Sequence, residues 1–512
     1  MQFLRSREQW MRFSSPLFIL LVFSTLGLIG ILNHEMWRDE MNTWLIVRDS
    51  SSLGEMLGYV NYQGHPALWA LLVSLVSNIS SSPQIMQLLH WSLGTTAIAI
   101  FLYQSKFPRW QKILFTFGYL PFYEYFLISR PYVLGMLWLF LFCALYPSRK
   151  KTYLKLSIIL GLMANSHAFA AIISFAAFLA LSLEFFLDKE QRATYEERSN
   201  KYDLLLSLVI LIGFYCFAFA ILNPPVDSVN VGGREGWNLA FDLRHGLRVL
   251  GRLLGGYILI IPNSRQWLDL IICDIIGVSI FLLTAAKLIR NRTPFFFYAI
   301  ATSGMLSFFY FRYMGHGARH YGYLYLVFIA ALWLAQHHQS ADWIEIKFLK
   351  FGSRSLSINK VHQVIFTITL LAHFFVGLYR FPGDLSVPFS AGYETAEYIK
   401  SSQLEAEFIM ASPDANMAAL SGYLDRKLYY PELQGMGSFT IFQQGRRTLV
   451  EPEDIVVQSK ALLPSIANGR ILLVLNSPLS ATDPELNIAP ITQFEKSWHR
   501  SERMYLYWIS LK

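Results

Sequence analysis

The chain has 512 residues, of which 54% are hydrophobic and only 15% charged, against about one quarter charged in ordinary soluble domains. That balance excludes a purely soluble enzyme. A formal net charge of +8 does not call for a nucleic-acid partner, because Lys and Arg accumulate in the cytoplasmic loops that orient a membrane protein.

Apolar runs recur through the first three quarters of the chain at lengths near the ~20 residues a spanning helix needs. Arg5, Arg7 and Arg12 precede the first run, which resembles a secretory signal. No small-residue cleavage site follows it, so it reads as a retained anchor with a cytoplasmic N-terminus. This first helix is expected over about 14–32, and residues 33–64 then form the first outer loop. The next apolar run, about 66–77, is short. Counting it as a span would put both Lys106–Lys112 and Arg149–Lys151 outside, against the positive-inside rule, so it reads as a juxtamembrane helix on the outer surface.

Further spans are predicted over about 85–103, 113–128, 132–146, 153–165, 168–187, 204–222, 267–286, 294–311, 321–336 and 361–379. Gly246–Ile261 reads as a second juxtamembrane segment, and Lys347, Lys350, Arg354 and Lys360 as an inner basic loop. The total is about eleven transmembrane helices. Cys143, Cys216 and Cys273 all fall inside apolar runs, so no disulfide framework or CxxC metal site is on offer.

After Arg380 the long apolar runs stop. Glu407–Ala411, Tyr423–Tyr430, Ile471–Leu475 and Met504–Ile509 read as strands, and Tyr393–Ser401 and Asp454–Leu462 as helices. The expected fold is therefore a mainly α polytopic membrane protein over residues 1–380, with an extracytoplasmic α/β domain over 381–512.

The candidate chemistry begins in the first outer loop, where Asp39 and Glu40 sit between Trp37 and Trp44. A carboxylate within hydrogen-bond reach is the usual base for a hydroxyl or amine nucleophile, and one carboxylate activates the nucleophile in inverting glycosyl chemistry. The plain alternative is a helix start facing water. Trp37, Trp44 and Tyr59 either stack on a sugar or anchor in the headgroup layer. His65, in Gly64-His65-Pro66, is an interfacial histidine or faces an anion at the start of a helix that opens with Pro66.

Arg130, Arg312 and Arg319 fall at predicted outer helix ends, where the topology rule disfavours positive charge. Such arginines bind a carboxylate, a lipid headgroup or a phosphate. His320 adjoins Arg319, and Glu124 lies close to Arg130. His167, in Asn165-Ser166-His167, is a further polar residue at an outer end. Asp274 and His373 are ionisable groups inside or near spans.

The order of these features resembles the GT-C superfamily of membrane glycosyltransferases, which includes protein O-mannosyltransferases and the aminoarabinose transferase of lipid A. The resemblance rests on the Asp39-Glu40 pair, Gly64-His65-Pro66-Ala67-Leu68-Trp69, the patch from Tyr123-Glu124-Tyr125 to Ser129-Arg130-Pro131-Tyr132, and a terminal soluble domain. It is closer still to a bacterial branch sharing Trp-Arg-Asp-Glu, Gly-His-Pro, Arg-His and Tyr-Leu-x-Arg stretches, here ending in Arg319-His320 and Tyr423-Leu424-Asp425-Arg426.

The resemblance implies inverting transfer from a polyprenyl-phosphate-linked sugar to a glycan, lipid or protein acceptor, in the cytoplasmic membrane of a cell envelope. Asp39 takes the place of the family's base, with Glu40 beside it. Arg130, Arg312, Arg319, His320 and His65 then meet the donor phosphate, while Trp37, Trp44, Glu124, Tyr59 and His167 shape the sugar and acceptor pocket. The family often has an aspartate where Glu124 and Arg130 stand, and some members have Lys-Pro where His65-Pro66 stands. Phosphate contact at His65 and a divalent metal are therefore left open, and no cofactor is otherwise implied. The competing classes are a polytopic transporter, which would use ionisable groups near the bilayer midplane, and a non-catalytic envelope assembly or receptor protein.

Overall fold

The computed structural model describes residues 15–229, 237–338, 347–351, 354–447 and 450–512. Arg5, Arg7 and Arg12, on which the expected N-terminal orientation rests, lie outside the described residues. The chain is mostly helical, with a small C-terminal sheet.

Helix α1 (Pro16–Asn33) starts where the Ser15 side chain accepts from the Phe18 N–H and Pro16 occupies the first turn. Residues 33–64 are not an open loop. They fold into α2 (Arg38–Asp49), α3 (Leu53–Val60) and a short 3-10 turn. The reason is an apolar face on α2, which buries Met41, Trp44, Leu45, Ile46 and Val47. Helix α4 (Leu68–Ser77) has ten residues, too few to cross a bilayer. It starts at Leu68, so Pro66 precedes the helix instead of opening it.

Helix α5 (Gln84–Gln104) follows, then α6 (Arg109–Thr116). The single helix expected over 113–128 is replaced by α6 and a tight π-type turn over Tyr119–Glu124. The break has a local cause: Gly118 is extended, with ψ 158°, and Pro121 lacks the N–H that would continue the ladder. Everything from Tyr119 to Arg130 is buried.

The bundle continues through α7 (Tyr132–Leu145), α8 (Leu154–Ala164), α9 (Ala168–Leu187), α10 (Lys189–Arg198), α11 (Asp203–Leu222), α12 (Leu243–Ile258), α13 (Trp267–Leu288), α14 (Arg292–Phe311) and α15 (Ala318–Ala335). The short strands β1 (Lys347–Phe351) and β2 (Arg354–Ser357) pair antiparallel, and α16 (Ile358–Ser386) closes the helical part. Every residue of α15 from His320 to Leu334 is buried, so this helix is apolar all round because it runs through the centre of the bundle.

Among the described residues eight helices are long and apolar enough to cross a membrane, which is compatible with a multi-pass membrane protein. They are α1, α5, α7 with its 3-10 extension to Lys150, α9, α11, α13, α14 and α16.

The C-terminal unit holds α17 (Gly392–Ser401), β3 (Phe408–Ser412), α18 (Asp414–Leu424), β4 (Leu428–Tyr430), β5 (Gly435–Gly437), α19 (Pro452–Leu462), β6 (Arg470–Leu475), β7 (Leu486–Phe494) and β8 (Met504–Leu511). Its six strands are ordered β5-β4-β3-β6-β8-β7. β3 is parallel to β4 and β6, and the outer pairs are antiparallel. Alternation along β3 sends Ile409 and Ala411 into a core with α17 and α18, and Met410 into one with α19. The strand expected over Tyr423–Tyr430 is shorter, because Tyr423 and Leu424 finish α18 and Asp425 turns the chain in the left-handed region (φ 53°).

This unit grips α2 directly. Met36 N donates to Tyr423 Oη (2.8 Å), Thr440 N donates to Asn42 Oδ1 (2.8 Å), and Arg48 Nη1 meets Asp425 Oδ1 at 2.7 Å.

Close helix approach positions the buried turn that follows α6. A Cβ on Gly27 of α1 would sit 1.9 Å from the Phe126 ring, and one on Gly94 of α5 would sit 2.2 Å from the same ring. Phe126 is thus wedged where only glycine leaves room. The His90 ring on α5 is within hydrogen-bond distance of the carbonyls of Phe126 (3.1 Å) and Arg130 (3.2 Å). A methyl in a filled core costs about 1–3 kcal/mol, so Gly27→Ala is expected to lower the unfolding free energy by that order and the thermal midpoint with it. A thermal melt of the detergent-solubilised chain checks it, and an unchanged midpoint would refute the wedge.

Candidate functional site

The N-terminus of α2 carries Asp39 on one side and Glu40 on the other, as successive helical residues about 100° apart must. Asp39 lines a cavity of about 650 Å³, shared with Gln63, Gly64, His65, Arg130, Tyr132, Ala168, Phe169, Phe219, Leu222, Asn223, Pro224, Trp237, Phe308, Arg312, Tyr313, Arg319 and His320. Six of the residues singled out in the sequence therefore meet there: Asp39, His65, Arg130, Arg312, Arg319 and His320.

Asp39 Oδ2 lies 2.5 Å from Arg130 Nη1 and 3.3 Å from Arg319 Nη2. Arg38 Nε is more distant, at 3.9 Å from Oδ1. Burial alone would raise the Asp39 carboxyl, but Arg130, then Arg319 and Arg38, overcome it and hold the group far below the usual carboxylate range. Arg130 reaches this point from the turn before α7, its guanidinium stacked over Tyr132 at 5.8 Å. Arg319 comes from the first turn of α15 and lies over the Trp37 ring at 5.1 Å.

Arg312, just past α14, faces Trp237 at 5.8 Å. Its Nη1 is buried without a hydrogen-bond partner among the described residues. Three guanidiniums thus line the cavity against a single carboxylate.

Neither histidine adds charge to this excess. Burial, reinforced by Arg130, brings His65 down to about 3, so its ring is neutral at physiological pH. Its Nε2 is 3.3 Å from Arg130 Nη2 and acts as the acceptor, which leaves the proton on Nδ1, buried and unpartnered among the described residues. His320 Nδ1 accepts from Gly317 N (3.2 Å), which fixes its proton on Nε2. The cavity combines surplus fixed positive charge with neutral N–H donors, the equipment for an anionic oxygen ligand.

Several expected site residues do not line the cavity. Glu40 is fully buried: its carboxylate accepts from Ser129 N (2.5 Å) and Trp37 N (3.3 Å) and faces His34 Nε2 at 3.1 Å. Trp44 is packed in the core on the apolar face of α2. Trp37 is buried with its ring stacked on His499 (4.5 Å). Glu124 accepts from Tyr119 Oη at 2.5 Å and is buried. Tyr59 donates to Glu55 (2.7 Å) and packs on Phe439. His167 is the buried N-cap of α9 and accepts from Ala170 N (3.3 Å). Each of these side chains is packed or hydrogen-bonded outside the cavity lining, although Trp37 Nε1, Trp44 Nε1 and His167 Nε2 are buried without a hydrogen-bond partner among the described residues.

The support behind Asp39 is an ionic chain that no local pattern in the sequence marked. His34 bridges Glu40 and Asp384, the latter at 2.8 Å, and Tyr123 Oη donates to Asp384 (3.0 Å). Burial opposes charge on His34, yet Asp384 and Glu40 raise its pKa well above the usual value, so it is a cation with both nitrogens donating. Gln63 and Tyr313 adjoin residues that were chosen, and Tyr132 lies within a stretch already quoted. Asn223 and Trp237 carried no signal at all. Among the described residues no three His, Cys, Asp or Glu side chains gather as a metal-binding group.

Glu502 lies beneath Arg38, with its Oε1 3.6 Å from Arg38 Nε, and its Oε2 accepts from Ser390 (3.0 Å). Burial pushes its carboxyl from the usual 4.5 to about 8, with Arg38 pulling the other way. Between those two values the folded chain keeps a proton that the unfolded chain has released, so stability falls as pH rises across that window. Glu502→Gln removes this group, and its unfolding midpoint is expected to fall less than wild type between pH 5 and 8. Melting curves across that range check this; parallel curves would refute it. Among known proteins, no family model, no curated protein and no solved structure matches this chain.

Proposed function

We propose that this chain is a membrane glycosyltransferase. It moves a sugar from a polyprenyl-phosphate donor to an acceptor on the outer face of the cytoplasmic membrane, with inversion at the anomeric carbon and Asp39 as base. The observation that carries this reading is the meeting of Asp39 with Arg130, Arg312 and Arg319 in one cavity whose wall includes Phe219 and Leu222 of α11. Phe219 is 71% exposed and continues a line of exposed apolar side chains on α11. A lipid-linked phosphate needs this pairing of cations with an apolar approach.

In the proposed reaction the acceptor oxygen or nitrogen forms the new bond to the anomeric carbon and its proton passes to Asp39. The bond from that carbon to the phosphate oxygen breaks, and the electron pair leaves on the lipid phosphate. Arg130, Arg312 and Arg319 stabilise the charge that grows there, with His65 Nδ1–H as a neutral donor. Paired with Arg130 and Arg319, Asp39 is a weak base. A phosphate that competes for Arg130 and Arg319 loosens that hold, so donor arrival frees the carboxylate for the acceptor.

The orientation is supported by where the basic turns gather. Lys106 N donates to Gln336 Oε1 (2.9 Å), and the Tyr146 and His338 side chains meet at 3.1 Å next to Arg149. These turns lie at the opposite ends of α5, α7 and α15 from the cavity, as the positive-inside rule expects if the cavity is outside. A transport reading would rest on Asp274 of α13, which has no hydrogen-bond or ion-pair partner among the described residues. His373, the other candidate for such a role, is committed to Gly256 O (3.0 Å) and stacked on Tyr325.

In membranes supplied with a polyprenyl-phosphate sugar, Asp39→Asn is expected to cut transfer by roughly 10²–10⁴-fold, the usual scale for a lost base. Donor binding should hold or tighten, because the two arginines lose their internal partner. Arg319→Ala should weaken donor binding and leave acceptor binding unchanged. Wild-type transfer by Asp39→Asn would overturn the base assignment. Sugar crossing sealed vesicles with no glycosylated product would favour transport.

A further inference from the structure

A second basic cavity, of about 210 Å³, lies between α12 and the turn joining α14 to α15, and is lined by Arg248, Arg252, Pro262, Ser264 and His316 among others. The turn over 312–317 separates it from the first: Arg312 and Tyr313 line one cavity, Met314 and His316 the other.

Its arginines follow from the pattern of α12. Arg244, Arg248 and Arg252 recur every four residues along one face, while Val249, Leu253, Leu254 and Tyr257 are buried on the other. Arg244 is committed, donating to Ser264 O from Nε (3.2 Å) and Nη2 (2.8 Å) with its guanidinium over Trp267. That contact fixes the wall opposite α12.

Among the described residues Arg248 and Arg252 have no such hydrogen bonds, and the one ring contact of Arg252 is with Tyr321, at 5.7 Å. The Nε of each is buried and has no hydrogen-bond partner among the described residues, and Arg252 as a whole is only 9% exposed. No carboxylate among the described residues comes within ion-pair distance of either. Of the nearby acids, Asp242 caps α12 through Arg244 N and His245 N, Asp269 accepts from Asn263 N, and Asp274, packed beside Gly251, forms no ion pair with either arginine. A buried guanidinium next to a half-exposed one, with no carboxylate within ion-pair distance, is costly. An oxyanion with several acceptor oxygens would satisfy both.

We infer that this cavity binds a phosphate group through Arg248 and Arg252. The source favoured by its surroundings is a membrane lipid, because Ile261 of its lining is exposed, as are its chain neighbour Ile260 and, just beyond the lining residue Ser264, Trp267 and Leu268. A basic groove edged by apolar side chains and a tryptophan suits a headgroup with its chains alongside. This site does not depend on sugar transfer at Asp39, so either can fail without the other.

The test is native mass spectrometry of the full chain in detergent, titrated with phosphatidylglycerol, with diacylglycerol lacking the phosphate, and with inorganic phosphate as competitor. Wild type is expected to retain phosphatidylglycerol and not diacylglycerol. The double variant R248Q/R252Q should bind about tenfold or more weakly, the scale of losing hydrogen bonds to charged groups. The charge-matched R265Q/R290Q should bind as wild type. Retention that survives millimolar inorganic phosphate assigns the site to a lipid headgroup; displacement by it assigns the site to the free ion. If R248Q/R252Q does not fold, R248Q alone, at the half-exposed arginine, carries the same comparison. Unchanged binding in the Arg248 variants, or an equal loss in R265Q/R290Q, would overturn the proposal.

Discussion

The ion pairs of Asp39 with Arg130 and Arg319 join three parts of the chain that are far apart in sequence. Asp39 enters on α2, Arg130 on the turn before α7, and Arg319 on the first turn of α15, 280 positions from Asp39. A carboxylate and guanidiniums drawn from water hold together only when geometry supplies good partners. The fold supplies them by fixing each backbone separately. Phe126, wedged against Gly27 and Gly94, sets the turn that carries Arg130, and the buried run of α15 sets Arg319.

A second layer of charge lies behind this one. His34, protonated between Glu40 and Asp384, ties the end of α1 to α2 and α16. Glu40 also receives Ser129 N, one residue from Arg130. The two adjacent acids therefore act on the same arginine from opposite sides: Asp39 through its guanidinium, and Glu40 through the backbone beside it. The C-terminal unit completes the frame, holding α2 through Asn42 and Arg48, and the segment before it through Met36, and setting Glu502 beneath Arg38.

Positive charge is distributed unevenly over this end of the bundle. In the first cavity two arginines share the Asp39 carboxylate, so an incoming anion must compete for them. In the second, Arg248 and Arg252 lack such a partner among the described residues. Only the turn over 312–317 separates the two cavities, so any movement of that turn changes both.

Composition and apolar run length, read from the sequence alone, determined the apolar helical bundle, the change to a mixed unit after Arg380, and the unusual placing of Arg130, Arg312 and Arg319 at helix ends. These are legible because burial in an apolar medium constrains every stretch of about 20 residues directly. The break after α6 was hidden, because Gly118 and Pro121 lie within an otherwise apolar run. The packing of the helices inside residues 33–64 was hidden too, since their burial depends in part on α18, more than 350 positions on. Only the tertiary structure decided that Asp39 faces the cavity while Glu40 is buried against His34. Neighbouring positions on a helix point about 100° apart, and which one meets the arginines depends on contacts with α7, α15 and α16 that no local pattern encodes.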